Sequence, residues 1–79
     1  MKVQILGTGC SKCRLLEDHV RQALHDYSIT AEIEKVTDID EIMAMGVMMT
    51  PALAIDGIVK SVGRVLTKEQ LLPFLKGEK

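Results

Sequence analysis

Tryptophan is absent from this chain, and Tyr27 and Phe74 are its only aromatic residues. That leaves no platforms for base stacking, and a core must be assembled from Ile, Leu, Val, Ala and Met. An excess of charge of either sign is also missing. Ten Lys and Arg against eleven Asp and Glu give a net charge of −1, with no basic run, so nothing draws the chain electrostatically to nucleic acid or an anionic membrane. No stretch of about 20 apolar residues is available to span a bilayer. The opening MKVQILGTGC has too short an apolar run for a secretory signal, and charged residues precede any small-residue cleavage site. The expected location is therefore the cytoplasm, with no nucleic-acid and no membrane partner. Repeats, linkers and low-complexity tracts are lacking too, so the 79 residues are expected to form one domain over 1–79.

What is present has clear periodicity. Lys2–Leu6 is a short run with branched residues, closed by Gly7, and reads as a buried strand. From Ser11 the period changes: Leu16, Val20, Ala23, Leu24 and Tyr27 recur at three- and four-residue spacing, as on an amphipathic helix of about four turns. Thr30–Val36 alternates like a half-exposed strand, which makes a βαβ unit with parallel strands. Asp38 and Glu41 suggest a capped short helix ending at Gly46, with Ile39, Ile42 and Met43 turned inward. Asp56-Gly57, between two apolar runs, signals a tight hairpin. Thr67 and Gln70 form a capping pair for a last helix over TKEQLLPFLKG; Pro73 inside it predicts a kink or a later start. The order is β-α-β-α-β-β-α: an α/β fold with a four-stranded mixed sheet and helices on both faces.

Both cysteines fall in GTGCSKC, at Cys10 and Cys13. Three chemistries use such a pair. A permanent disulfide is disfavoured, because a bridge across two residues closes a tiny loop and cytoplasmic thiols are kept reduced. Metal binding and reversible redox cycling both remain. For redox work the position is apt: at a helix start, the unpaired amides and the dipole favour the Cys10 thiolate, the species that attacks a disulfide. Lys12 adds a positive charge beside it. Cys13, about a turn further on and more shielded, suits a resolving thiol that attacks Cys10 once a mixed disulfide has formed. That cycle needs no cofactor.

Downstream, Thr50-Pro51 stands directly before the third strand, in MTPAL. With GCSKC after the first strand, the Asp56-Gly57 hairpin and Gly63 after the fourth strand, the chain resembles the thioredoxin superfamily along nearly its whole length. The closest likeness is to small thioredoxin-like redox-active disulfide proteins with a Gly-Cys-x-x-Cys centre. The resemblance implies a thioredoxin-like βαβαββα fold and a cis peptide at Thr50-Pro51, with the proline beside the cysteines. It also implies a substrate-binding edge at Thr50, Pro51 and Met49. Departures are equally plain. Classical thioredoxins carry Trp before the first cysteine and Gly-Pro between the two, where this chain has Gly9 and Ser11-Lys12. They also keep a buried acid six residues before the first cysteine. Gln4 stands there and cannot act as a base, which leaves proton transfer to water or another group.

The metal reading has its own support. Soft thiolates suit Cu(I) or Zn(II), and Met43, Met45, Met48 and Met49 are possible thioether ligands. Against it, heavy-metal domains of this size end on a strand and lack the proline motif, and His19 and His25 are badly spaced from Cys13, as surface or boundary residues would be. Met48 and Met49 read better as an adaptable apolar surface for a partner protein. A non-catalytic interaction module is the third class, disfavoured because both cysteines and the proline are present. The expectation is a thiol–disulfide oxidoreductase, Cys10 attacking and Cys13 resolving, with no metal. It would act as a monomer on protein disulfides and be recharged by an upstream reductase.

Overall fold

A computed structural model of the protein describes residues 1–76; the far end of the expected domain, residues 77–79, lies outside the described residues. The two central strands owe their existence to two-sided burial. β1 (Lys2–Leu6) and β3 (Ala52–Ile55) lie side by side at the centre of a sheet ordered β2-β1-β3-β4. β1 runs parallel to β2 (Glu32–Val36) and antiparallel to β3, and β3 is antiparallel to β4 (Ile58–Val62). Alternation along the two central strands divides the core. Val3, Ile5, Leu53 and Ile55 point to one face, while Leu6, Ala52 and Ala54 point to the other.

On the first face lie α1 (Ser11–Asp26) and α3 (Lys68–Leu75). The stripe Leu16, Val20 and Ala23 of α1 meets Leu71 and Leu75 of α3 over the sheet, all fully or almost fully buried. Each leucine withdrawn from water in this way is worth about 1.5–3 kcal/mol. Leu24 and Tyr27 pack at the margin of the same cluster. The second face carries only α2 (Ile39–Ala44), six residues long. Ile42 is its single buried side chain, and Val47 beyond its end completes the cover over Leu6, Val36 and the two alanines.

That shortness corrects one expectation: Ile39 and Met43 do not face inward. A helix of one and a half turns offers the sheet one side chain; Ile39 and Met43 flank Ile42 and stand 61% and 55% exposed. Of the two outcomes expected from Pro73, the later start of the last helix is not found. The helix starts immediately after its N-cap Thr67, both halves of the Thr67–Gln70 capping box are made, and Pro73 sits within it rather than delaying it. β2 opens at Glu32, two residues later than the alternation suggested. The hairpin forms where Asp56-Gly57 places it, with positive φ at both residues (51° and 85°), as a tight turn requires. A register shift between Leu53 and Ala54 bends the β3–β4 pair. Among the described residues no helix is long and apolar enough to cross a membrane.

Candidate active site

The antiparallel register brings the end of β1 and the start of β3 to one edge of the sheet, since Leu6 pairs with Ala52. Gly7 extends the β1–β2 ladder by one bond, its amide donating to the Val36 carbonyl at 2.9 Å. Gly9 then turns the chain with φ of 92°, a conformation glycine adopts without steric cost. Cys10 follows as the N-cap of α1: its backbone is extended, its carbonyl accepts from the Arg14 amide at 3.1 Å, and its sulfur accepts from the Cys13 amide at 3.3 Å. The sulfur thus fills the role usually taken by a serine or aspartate oxygen.

The two sulfurs are 2.6 Å apart, both free thiols. Their environments differ. Cys10 is exposed and its pKa is lowered, chiefly by the hydrogen bond from the Cys13 side chain, then by the Cys13 amide, with a smaller part from the Lys12 amide. Cys13 is 5% exposed and its pKa is raised, first by burial and then by its bond to Cys10. The hydrogen bond between them is thus biased toward Cys13 as S–H donor and Cys10 as acceptor. Gly7 makes the arrangement possible. A Cβ there would collide with the Cys13 sulfur and approach the Thr50 Cβ to 3.8 Å, so the missing side chain is the gap into which Cys13 fits.

Thr50 is thereby placed beside the dithiol loop. The Thr50–Pro51 peptide is cis, Pro51 is fully buried, and its carbonyl accepts from the Gly63 amide at 2.8 Å. Met49 lies against Gly63, where an added Cβ would sit 3.3 Å from it. Lys12 reaches Cys10 through its backbone amide. Beside Thr8 and Thr50 opens an apolar groove of about 220 Å³ walled by Ile39, Ile42, Met43, Val47 and Met48. Met48 is 82% exposed. Met48 was expected at an apolar surface, whereas Ile39 and Met43 join it there instead of turning inward.

A second cavity, of about 540 Å³, lies by Cys13 and went unforeseen. It is lined by Ile5 and Lys35 of the sheet, Gly7 to Gly9, Thr37, and Cys13, Arg14, Glu17 and Asp18 of α1. The Glu17 carboxylate is only 14% exposed, bonded by Arg21 at 2.7 Å and paired with Lys35 at 3.4 Å. Arg21 first, and then Lys35, hold its pKa below the usual glutamate value. A helix residue meeting a strand residue eighteen positions away leaves no periodic trace in sequence. Gln4, by contrast, faces away from α1, donating to Glu34 at 2.8 Å and accepting from the Gly57 amide at 3.0 Å. His19, read as a boundary residue, ties α1 to the segment before α3 by donating Nδ1–H to the Leu66 carbonyl at 2.8 Å.

Among the described residues no group of three or more His, Cys, Asp or Glu side chains is placed to hold a metal ion. The geometry offers an exposed sulfur biased toward thiolate, a buried one biased toward thiol directly behind it, and a cleared approach. Residues 1–76 match a family model described as a thioredoxin domain. The chain is 44% identical over 75 residues to a thioredoxin of Methanothermobacter thermautotrophicus, covering 95% of this chain and 97% of that protein. It is 39% identical over 80 residues to a thioredoxin of Methanocaldococcus jannaschii, covering 96% and 92%.

Proposed function

The chain belongs to the thioredoxin family and is a thioredoxin-like redox protein; from that premise we propose that it exchanges its dithiol with disulfides of other proteins. The Cys10 thiolate attacks one sulfur of the substrate disulfide, forming a mixed disulfide and expelling the other sulfur as a thiolate. Cys13 then attacks the Cys10 sulfur, expelling the second substrate sulfur and leaving a Cys10–Cys13 disulfide. Two electrons have passed to the substrate, and an upstream reductase returns them. The whole reaction belongs to one domain, working as a monomer in the cytoplasm, where a reducing pool sustains it.

One observation carries the reading: two sulfurs 2.6 Å apart, the exposed one biased toward thiolate and the buried one toward thiol. The attacking and resolving roles need that division. Around it, Thr50 offers its backbone to an extended segment of substrate, Pro51 shapes that edge, and Met49 adds apolar contact. The Lys12 ammonium reinforces what its amide does for Cys10. The soft-metal reading is not favoured, since both relatives bear the name thioredoxin. The test is direct. Cys10→Ser abolishes reduction of a protein disulfide, while Cys13→Ser stops after the first step and accumulates a mixed disulfide at Cys10, seen by mass spectrometry. Activity surviving Cys10→Ser would refute the reading.

A further inference from the structure

We propose that the cavity beside Cys13 is the route by which the resolving thiol loses its proton, and that Glu17 is the carboxylate that receives it. The inference rests on the dithiol-exchange reading and concerns only its second step. Cys13 is buried, and burial holds it protonated. In the free dithiol the Cys10 sulfur, 2.6 Å away, is its hydrogen-bond partner. Once Cys10 is tied up in a mixed disulfide, that sulfur carries no charge and ceases to be a useful acceptor. The proton must leave by another way as Cys13 attacks.

The charged side chains around the cavity are Arg14, Glu17 and Asp18 of α1 and Lys35 of β2. The loop from Gly7 to Gly9 and the Thr50-Pro51 turn bring no titratable group. Two of the four are cations and cannot accept a proton. Of the two carboxylates, Asp18 is five residues from Cys13, well round the helix, and exposed. Glu17 is four residues on, the next position along the same helix face, and a helical side chain leans back toward the preceding turn. It is also the one held in place, by Arg21 and Lys35. A space of about 540 Å³ has ample room for water, at about 30 Å³ per molecule, to join thiol and carboxylate.

Arg21 and Lys35 give Glu17 its character as an acceptor. They keep it ionised throughout the neutral range, and so always able to take a proton. They also keep it a weak base, so the proton passes on through the open cavity to solvent rather than staying. The step balances as follows. The Cys13 sulfur forms its bond to the Cys10 sulfur; the bond from Cys10 to the substrate sulfur breaks, and that sulfur departs with the electron pair as a thiolate. The proton released from Cys13 moves through water to Glu17 and out. Gln4 has no part in it, being committed to Glu34 and Gly57.

Dithiobis-nitrobenzoate separates the two steps, because the first coloured thiolate reports attack by Cys10 and the second reports resolution by Cys13. With the full chain in single-turnover mixing near pH 6, Glu17→Gln leaves the first release unchanged. It slows the second by about tenfold or more, short of the ~100-fold at which direct general acid–base assistance begins because water intervenes. The difference closes as pH rises into the range where Cys13 ionises unaided. Glu17→Asp recovers part of the loss, and Asp18→Asn loses nothing. In the unaltered protein the second release slows more than the first in deuterium oxide, a readout that needs no variant. An unchanged second phase in Glu17→Gln, a slowdown of equal size at every pH, or an equal loss in Asp18→Asn overturns the proposal. Absence of both phases from the unaltered protein would overturn dithiol exchange itself, and this proposal with it.

Discussion

The two faces of the sheet are built on different scales. On one, two helices bury leucines and valines against Val3, Ile5, Leu53 and Ile55. On the other, a six-residue helix rests on alanines and leaves Ile39, Met43 and Met48 in solvent beside Thr8 and Thr50. The thick face holds Cys13 still, since it lies on α1 just ahead of the first buried leucine, Leu16. The thin face leaves apolar surface where an incoming protein would meet Cys10. Small domains have little core to spare, and here most of it lies on the face that α1 and α3 cover.

The contrast can be broken at its strongest point by Leu53→Ala, which empties the thick face and costs about 2–5 kcal/mol of unfolding free energy. Chemical denaturation measures it, and a loss below about 1 kcal/mol would mean that the two faces are not unequal in the way described. Next in size is Gly7→Ala. The added methyl meets the Cys13 sulfur, and overpacking of this kind costs about 1–3 kcal/mol. The same variant at Gly57, which has nothing near it, pushes on no neighbour and feels only its positive φ.

A sharper comparison lies between the sulfurs. Cys10 owes its lowered pKa first to the Cys13 side chain, so Cys13→Ala moves the Cys10 midpoint upward in a titration of ultraviolet thiolate absorbance. Cys10→Ala leaves Cys13 above its ordinary value, because burial is the larger cause there. The sign for stability follows. The contribution from Cys10 is present above its unfolded pKa and fades as pH falls through the depressed folded value. That from Cys13 is complete below its unfolded pKa and is lost as pH rises through the raised one. Smallest in stability is Met48→Ser, within about 0.5 kcal/mol as for an exposed site. It nevertheless slows reaction with a protein disulfide while sparing a small-molecule disulfide; equal rates with both would remove the thin face from substrate binding.

The thick face was legible in the sequence because its signals are local. Leu16, Val20 and Ala23 repeat at helical spacing, β1 is a compact branched run, and Asp56-Gly57 announces its own turn. Cys10, Cys13 and Pro51 were legible for a similar reason, each standing at a boundary between elements. The thin face was not. Periodicity cannot tell a helix that covers a sheet from one too short to do so, and Ile39 and Met43 were accordingly placed inside. The capping box at Thr67 was a better guide to the start of α3 than Pro73, since capping acts at the first turn and the proline falls beyond it. The Glu17–Lys35 pair joins α1 to β2 across the cavity, a contact set by how far one element stands from another rather than by any spacing within either.

The hairpin tip at Asp56-Gly57 lies at the opposite end of the molecule from the thiols. Asp56 caps the beginning of β1, accepting from the Lys2 amide at 2.8 Å, whereas the cysteines follow that strand's other end. The protein thus has a natural handle. A tether or an electrode linker attached at the hairpin would present Cys10 outward, with the length of the central strands between the attachment and the chemistry.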